Sequence, residues 1–352
     1  MKIELLTEAW EDEYTQLILQ DEQSNFYSSL LFRNMLERIT SAEPRYLVAV
    51  SGDKLVGVLP AFLKRNNRYG DVLNSLPWYG SNPGITVNPF HPEPRKVKFE
   101  LLNAFKDLAK KEDVVTSTLI DAPFDDDLDL YDDFGSSSMV DIRIGMRTIL
   151  DRLGGIDELL ASFRSSVRNQ IRKAAKEGVV VYRDMGMVGL SYLIDLHTRN
   201  MKAMGVPPKD ANFFNALIDG PLAGRDYLVY VAKKDGESIA ALLLMYFNKT
   251  ISYWIPVIEE DFRVYSPMNL LIYMAMIDGF LRGYKYWDWG GTALLANGVY
   301  NFKKKWGSEE RKYCYYTTVY KDIGELQSLG AEVLMSEYPY FYVFPFLKEE
   351  DE

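Results

Sequence analysis

The chain has 352 residues, 47% apolar and 26% charged, with a formal net charge of -10 and a pI near 5.0. That length favours two domains over one, each long enough to bury a core. The acidic balance argues against a general DNA, nucleic-acid or membrane binder, because phosphate contacts need basic surface, so any polyanion site must be a local basic patch.

One cysteine, Cys314, and two histidines, His91 and His197, exclude an internal disulfide and argue against a metal site. Cys314 reads as a strand thiol, and both histidines as surface or structural residues. The start, Met1 to Leu19, is acidic and lacks the basic, then apolar pattern of a signal peptide. The longest apolar run, Ile239 to Phe247, is too short to span a bilayer, so a cytoplasmic protein without a membrane span is expected.

In chain order, residues 9–20 and 24–39 read as helices. Tyr46–Val50 and Leu55–Leu63 are apolar runs around a Gly52-Asp53 turn, a hairpin signal. An irregular stretch, Leu73–Pro94, precedes a helical period over 95–111 and a strand at Val114–Ile120. Asp125–Asp133 holds six aspartates and reads as a solvated loop; its spacing is not that of a calcium loop. The plan then repeats. Tyr227–Val231 and Ile239–Phe247 flank an Asp235-Gly236 turn, followed by a helix at 268–282 and a strand at Tyr284–Trp289. Tyr46 and Tyr227 lie 181 residues apart, about half the chain. The result is an α/β (α+β) duplication, with domains at 1–150 and 151–320 and the helical, aromatic tail 321–352 expected to pack back on the first.

Between the halves, a helix over 163–177 carries Arg164, Arg168, Arg172 and Lys176 at i, i+4, i+8 and i+12 without an intervening acid. Like charges so placed cost a helix ~0.2–0.5 kcal/mol per pair, and guanidinium groups match phosphate oxygens. The stripe is read as a phosphate anchor, with pairing to the aspartate-rich loop as the alternative. Tyr300-Asn301-Phe302-Lys303-Lys304-Lys305-Trp306-Gly307 frames three lysines with aromatics. A lysine there suits an oxyanion or a phosphate, or is simply solvated. Tyr286-Trp287-Asp288-Trp289-Gly290-Gly291 puts a carboxylate at a strand end, where it accepts an amine proton, orients a lysine or caps the next segment. Arg263 and Ser266 precede a helix N-terminus, a natural phosphate position. The loop Leu76–Gly84, with Trp78 and Tyr79, presents stacking surface to an acceptor or is a tight crossover.

Together these residues resemble the FemAB-like branch of the GNAT acyltransferase superfamily, which includes peptidoglycan-bridge and polysaccharide-linked N-acyltransferases. The resemblance rests on Asn25-Phe26-Tyr27-Ser28, Val56-Gly57-Val58-Leu59-Pro60 and Leu73-Asn74-Ser75-Leu76-Pro77 in the first half. In the second half it rests on Val167–Ala174, Tyr265-Ser266-Pro267, Trp287-Asp288-Trp289-Gly290 and Phe302-Lys303-x-x-Trp306-Gly307. It implies tandem GNAT-like domains with mixed, mostly antiparallel sheets. It also implies transfer from an activated donor, acyl-CoA or aminoacyl-tRNA, to an amino group of an amino sugar or of a glycan or peptide envelope precursor. No cofactor is tightly bound, and tRNA is a partner only as donor. Lys303 would stabilise the oxyanion, and Asp288 or Tyr300 would take the amine proton. Arg164, Arg168, Arg172, Lys176, Arg263 and Ser266 would hold phosphates, and Trp78, Tyr79 and Trp289 the acceptor. The chain departs from the family in two places. The helical arm of some tRNA-dependent members has no room between Gly178 and Tyr227, and Arg263–Met268 lacks the glycines of the pyrophosphate loop. A non-catalytic scaffold that binds a glycan precursor is the alternative to an enzyme.

Overall fold

Short apolar strands separated by two long helices, the first amphipathic and the second apolar nearly all round, dictate sheets joined by crossovers. A computed structural model of the chain describes residues 1–78, 80, 83–125, 127–131, 138–151, 155–294 and 296–344. In the first half the strands are β1 (Lys2–Leu5), β2 (Glu43–Pro44), β3 (Leu47–Ser51), β4 (Lys54–Leu59), β5 (Phe62–Lys64), β6 (Val72–Asn74), β7 (Thr86–Val87), β8 (Thr116–Ile120) and β9 (Ser138–Ile149). In the second they are β10 (Val180–Asp184), β11 (Tyr227–Lys234), β12 (Glu237–Phe247), β13 (Thr250–Ile258), β14 (Tyr286–Ala293) and β15 (Glu309–Val319). Among the described residues they form a four-stranded sheet, β1-β3-β4-β7, and an eleven-stranded sheet, β10-β11-β12-β13-β14-β9-β15-β8-β6-β5-β2.

The two halves repeat one unit. A crossover helix, Pro94–Lys111, joins β6 to β8, and a second, Pro267–Leu281, joins β13 to β14. Each begins with proline, whose missing N–H costs nothing in the first turn. Both strand pairs run parallel, as crossovers require, and each pairs over only three residues: Val72–Asn74 with Thr116–Thr118, and Thr250–Ser252 with Tyr286–Asp288. Past Ser75, whose N donates to the Thr118 carbonyl and whose Oγ accepts from Ile120 N, and past Asp288, the ladder pairing of these strands ends among the described residues; each such end is termed a wedge. Gly279 lets the second helix close on β13, since a Cβ there would meet Ile251 Cδ1 at 2.3 Å.

The halves also exchange strands. β9, from the first half, lies between β14 and β15 and pairs with both antiparallel. β15, from the second half, pairs in turn with β8 of the first. After β15 come two short helices, Gly324–Ser328 and Gly330–Glu337, and a tail whose Tyr338, Phe341, Val343 and Phe344 are buried. The tail runs through the first wedge. The Tyr340 carbonyl accepts from Trp78 N (2.8 Å), past the end of β6, and the Tyr342 carbonyl accepts from Thr118 Oγ1 (2.9 Å) on β8.

Several expected boundaries shift. The helix expected over 24–39 is a short 3₁₀ turn, Phe26–Ser28, then a helix Leu30–Thr40 capped by Ser29 Oγ accepting from Phe32 N. The run 55–63 breaks into β4 and β5 at Pro60, which cannot donate to a ladder. Asp125, Asp127 and Asp129 pair with Lys98 and Arg95 of the first crossover helix, not with the basic helix. Among the described residues no helix is long and apolar enough to cross a membrane.

Candidate active site

The second wedge remains open, and Asp288 stands where it begins. After Asp288 the register with β9 slips, and Gly290 takes a positive φ of 67° that bends the strand. Gly290 N then donates to Asp288 Oδ1 at 2.8 Å. Asp288 Oδ2 has no hydrogen-bond partner among the described residues, and the residue is only 9% exposed. Burial raises its carboxyl above the usual range, against the opposing pull of the Gly290 N–H, Lys303 and Arg147.

Lys303 reaches the same strand end from a short helix, Asn297–Lys304. Its Nζ donates to Thr292 Oγ1 (2.8 Å), the Gly291 carbonyl (3.2 Å) and, at 3.4 Å, the Gly290 carbonyl. The lysine is 6% exposed, and burial lowers it to about 8, with Asp288 acting in the opposite sense. The supporting layer is aromatic. Trp289 Nε1 donates to Thr148 Oγ1 (3.0 Å), which donates to the Trp306 carbonyl (3.0 Å), so β9, β14 and the lysine-bearing segment are tied together.

Two clefts lie back to back across this strand end. The smaller, about 180 Å³, is lined by Tyr27, Lys209, Trp254, Trp289, Gly290 and Gly291, among others. The larger, about 470 Å³, lies between the halves and reaches Ser28, Arg147, Thr250, Tyr286 and Asp288. Asp288 faces one cleft while Gly290, two residues on, faces the other.

Lys303 and Asp288 are thus brought to one strand end, where Asp288 lines the larger cleft and Lys303 lies behind the cleft walls, and the remaining expected residues are dispersed. Tyr300 lines neither cleft: its hydroxyl donates to Glu310 Oε2 at 2.8 Å, which raises the phenol and makes it a poorer base near neutral pH. Trp78 and Trp289 do line the smaller cleft, but they are 7% and 2% exposed, and the Trp78 ring already stacks on Phe213 and Tyr340. Neither offers an acceptor a free face. Tyr79 lies outside the described residues.

The basic helix, Ser165–Lys176, buries Val167, Ile171 and Ala174 and turns Arg164, Arg172 and Lys176 outward. Arg168 is spent on the carbonyls of Ala161 and Phe163, and Arg172 donates to Asn169 Oδ1. Arg164 N donates to the Lys305 carbonyl at 2.9 Å, so the stripe starts beside the lysine segment. Arg263 pairs with Glu260 at 2.6 Å, and Ser266, at φ 55°, opens the second crossover helix. None of these cations lines either cleft.

Some contributors carry no local sequence signal. Lys209, next to Trp78 in the smaller cleft, follows two prolines; its Nζ lies 5.5 Å over that ring, and burial lowers its ammonium. Its backbone N donates to His197 Nε2 (3.2 Å), a buried imidazole lowered to about 4 and therefore neutral, which holds the loop. Tyr27 is buried and feels the charge of Asp288.

Residues 161–304 match the model of the acetyltransferase (GNAT) domain family. No curated protein matches the chain. Among solved structures, FemX superposes with a TM-score of 0.72 at 17% identity, covering 89% of this chain and 97% of FemX. The C-terminal domain of a putative lysylphosphatidylglycerol synthetase from Agrobacterium fabrum gives 0.56 at 13%, covering 92% and 96%. A tandem GNAT protein from the clavulanic acid biosynthesis pathway gives 0.52 at 14%, covering 91% and 99%. The family match thus covers the middle and second half of the chain, residues 161–304, and the whole chain shares the fold of FemX and of the tandem GNAT protein.

Proposed function

We propose that the protein transfers an acyl group from an activated thioester, acyl-CoA in the first instance, to an amino group of an amino sugar or cell-envelope precursor. One observation carries this reading: an unpartnered, buried Asp288 carboxylate oxygen and a buried Lys303 ammonium share a strand end between two clefts. The name of one structural neighbour, a putative lysylphosphatidylglycerol synthetase, supports an envelope-related acceptor.

The chemistry follows from the groups present. An entering ammonium gives one proton to Asp288 Oδ2, whose raised affinity for a proton suits a base working near neutral pH. The free amine attacks the donor carbonyl carbon. The C–N bond forms as the carbonyl electron pair moves onto oxygen beside Lys303 Nζ. That oxygen displaces the longest of the three lysine bonds, the 3.4 Å one to the Gly290 carbonyl. Collapse breaks the C–S bond, and the thiolate takes the second nitrogen proton. Asp288 returns its proton to water, and no covalent enzyme intermediate forms.

The test is acceptor-dependent release of thiol from acyl-CoA. Lys303→Ala should lower kcat ~10²–10³-fold with its melting curve retained. Full activity in that variant overturns the assignment, and turnover of no donor by the wild type favours a non-catalytic scaffold. A second donor, aminoacyl-tRNA, is supported by Arg164, Arg172 and Lys176, which face outward without a carboxylate partner among the described residues. Transfer that RNase treatment abolishes selects it.

A further inference from the structure

The larger cleft has a charge arrangement that the proposed reaction alone does not require. Asp21, Glu22, Asp125, Asp127 and Asp288 line it against Lys98 and Arg147. Both cations are occupied. Lys98 Nζ lies 2.6 Å from Asp125 and 2.9 Å from Asp127. Arg147 pairs with Glu309 at 2.6 Å, donates to Gln23, and lies over the rings of Phe124 and Tyr286. Glu22 is taken by Lys285 at 2.7 Å.

Two carboxylates remain without a direct ion pair among the described residues, although Asp21 feels the charges of Lys98 and Arg147 and Asp288 those of Lys303 and Arg147. Asp21, half-buried, accepts from Gln23 N at 2.9 Å. Asp288, nine-tenths buried, keeps Oδ2 without a partner. Thr250, 3% exposed on the neighbouring strand, lines the same cleft and also has an unpartnered hydroxyl. The two carboxylates want donors, and the hydroxyl can donate or accept. An ammonium brings three and no acceptor, whereas a phosphate brings only acceptors and a like charge.

We propose that the cleft takes a dicationic amine of the diamine type, the reacting nitrogen at Asp288 and the second positive charge at Asp21, and rejects amines that present a phosphate there. The role given to the reacting nitrogen rests on the acyl-transfer reading; the charge preference does not. Of the acceptors named above, this keeps those with a basic end in the cleft.

Binding without donor, by calorimetry on the full chain, tests it with 1,5-diaminopentane, 1-aminopentane and glucosamine 6-phosphate. The diamine should bind about tenfold more tightly than the monoamine and weaken as salt rises from about 50 to 300 mM. Glucosamine 6-phosphate should show no binding. Asp21→Asn, which keeps the acceptor for Gln23 N, should erase most of the tenfold difference. Equal or tighter binding of the phosphate sugar overturns the proposal, as does an unchanged diamine affinity in a folded Asp21→Asn protein. If that variant unfolds, the wild type decides alone, since salt-independent diamine binding is equally fatal. A diamine that binds as described but accepts no acyl group from any donor defeats the acyl-transfer reading and leaves this one standing.

Discussion

Lys303 is a buried ammonium whose proton affinity has fallen to about 8, so at pH 7 it is still mostly charged. If it meets the oxyanion as a cation, transfer must fail as the pH rises through that value. Asp288, raised by burial, sets the opposite limb, since only its ionised form accepts the amine proton. The profile of kcat/KM should therefore be bell-shaped with an alkaline limb near 8, and a rate still climbing at pH 9 would contradict it. Stability should show the same lysine with its own sign. Its folded value lies below the unfolded ~10.4, so the folded state binds fewer protons between the two. The penalty is complete below about 8 and fades as pH rises towards the unfolded value. Lys303→Met should therefore melt at or above the wild-type temperature at pH 7, and the gap should shrink towards pH 10.

At the scale of elements, the wedge depends on how closely the Tyr313 side chain of β15 reaches across β9 to β14. A Cβ at Gly291 would lie 1.9 Å from the Tyr313 hydroxyl oxygen, and Tyr313 is 1% exposed with no room to retreat. Gly291→Ala should cost ~1–3 kcal/mol in urea denaturation. Adding Tyr313→Phe, which deletes the obstructing oxygen, should recover part of that loss; purely additive losses would place the strain elsewhere. Both crossover helices were legible in the sequence: the first because its apolar face recurs with helical period, the second as a long apolar run, and proline marks both starts. β9 was not. Its Asp141, Arg143, Gly145 and Arg147 interrupt any apolar run, and both partner strands come from the other half of the chain. The site divides the same way. Asp288 and Lys303 stand out within aromatic local motifs. Asp21, Tyr27, Arg147 and Lys209 come from separate elements with no shared spacing, so only the fold assembles them. The arginine stripe was conspicuous but faces outward, because the same helix spends its apolar face on the core.

For the whole molecule, duplication supplied two wedges of one design, and the chain uses them unequally. Tyr340 and Tyr342 bond to both sides of the first, through Trp78 N and Thr118 Oγ1, while the second carries the smaller cleft, lined by Tyr253, Trp289, Gly290 and Gly291. The segment Tyr338–Phe344 therefore fills one of the two seats of the duplicated design, which leaves one for the donor of the proposed reaction. Stoichiometry follows: titration with a non-hydrolysable acyl-CoA thioether should saturate at one molecule per chain, and a second equivalent site would show that the tail leaves its place in solution.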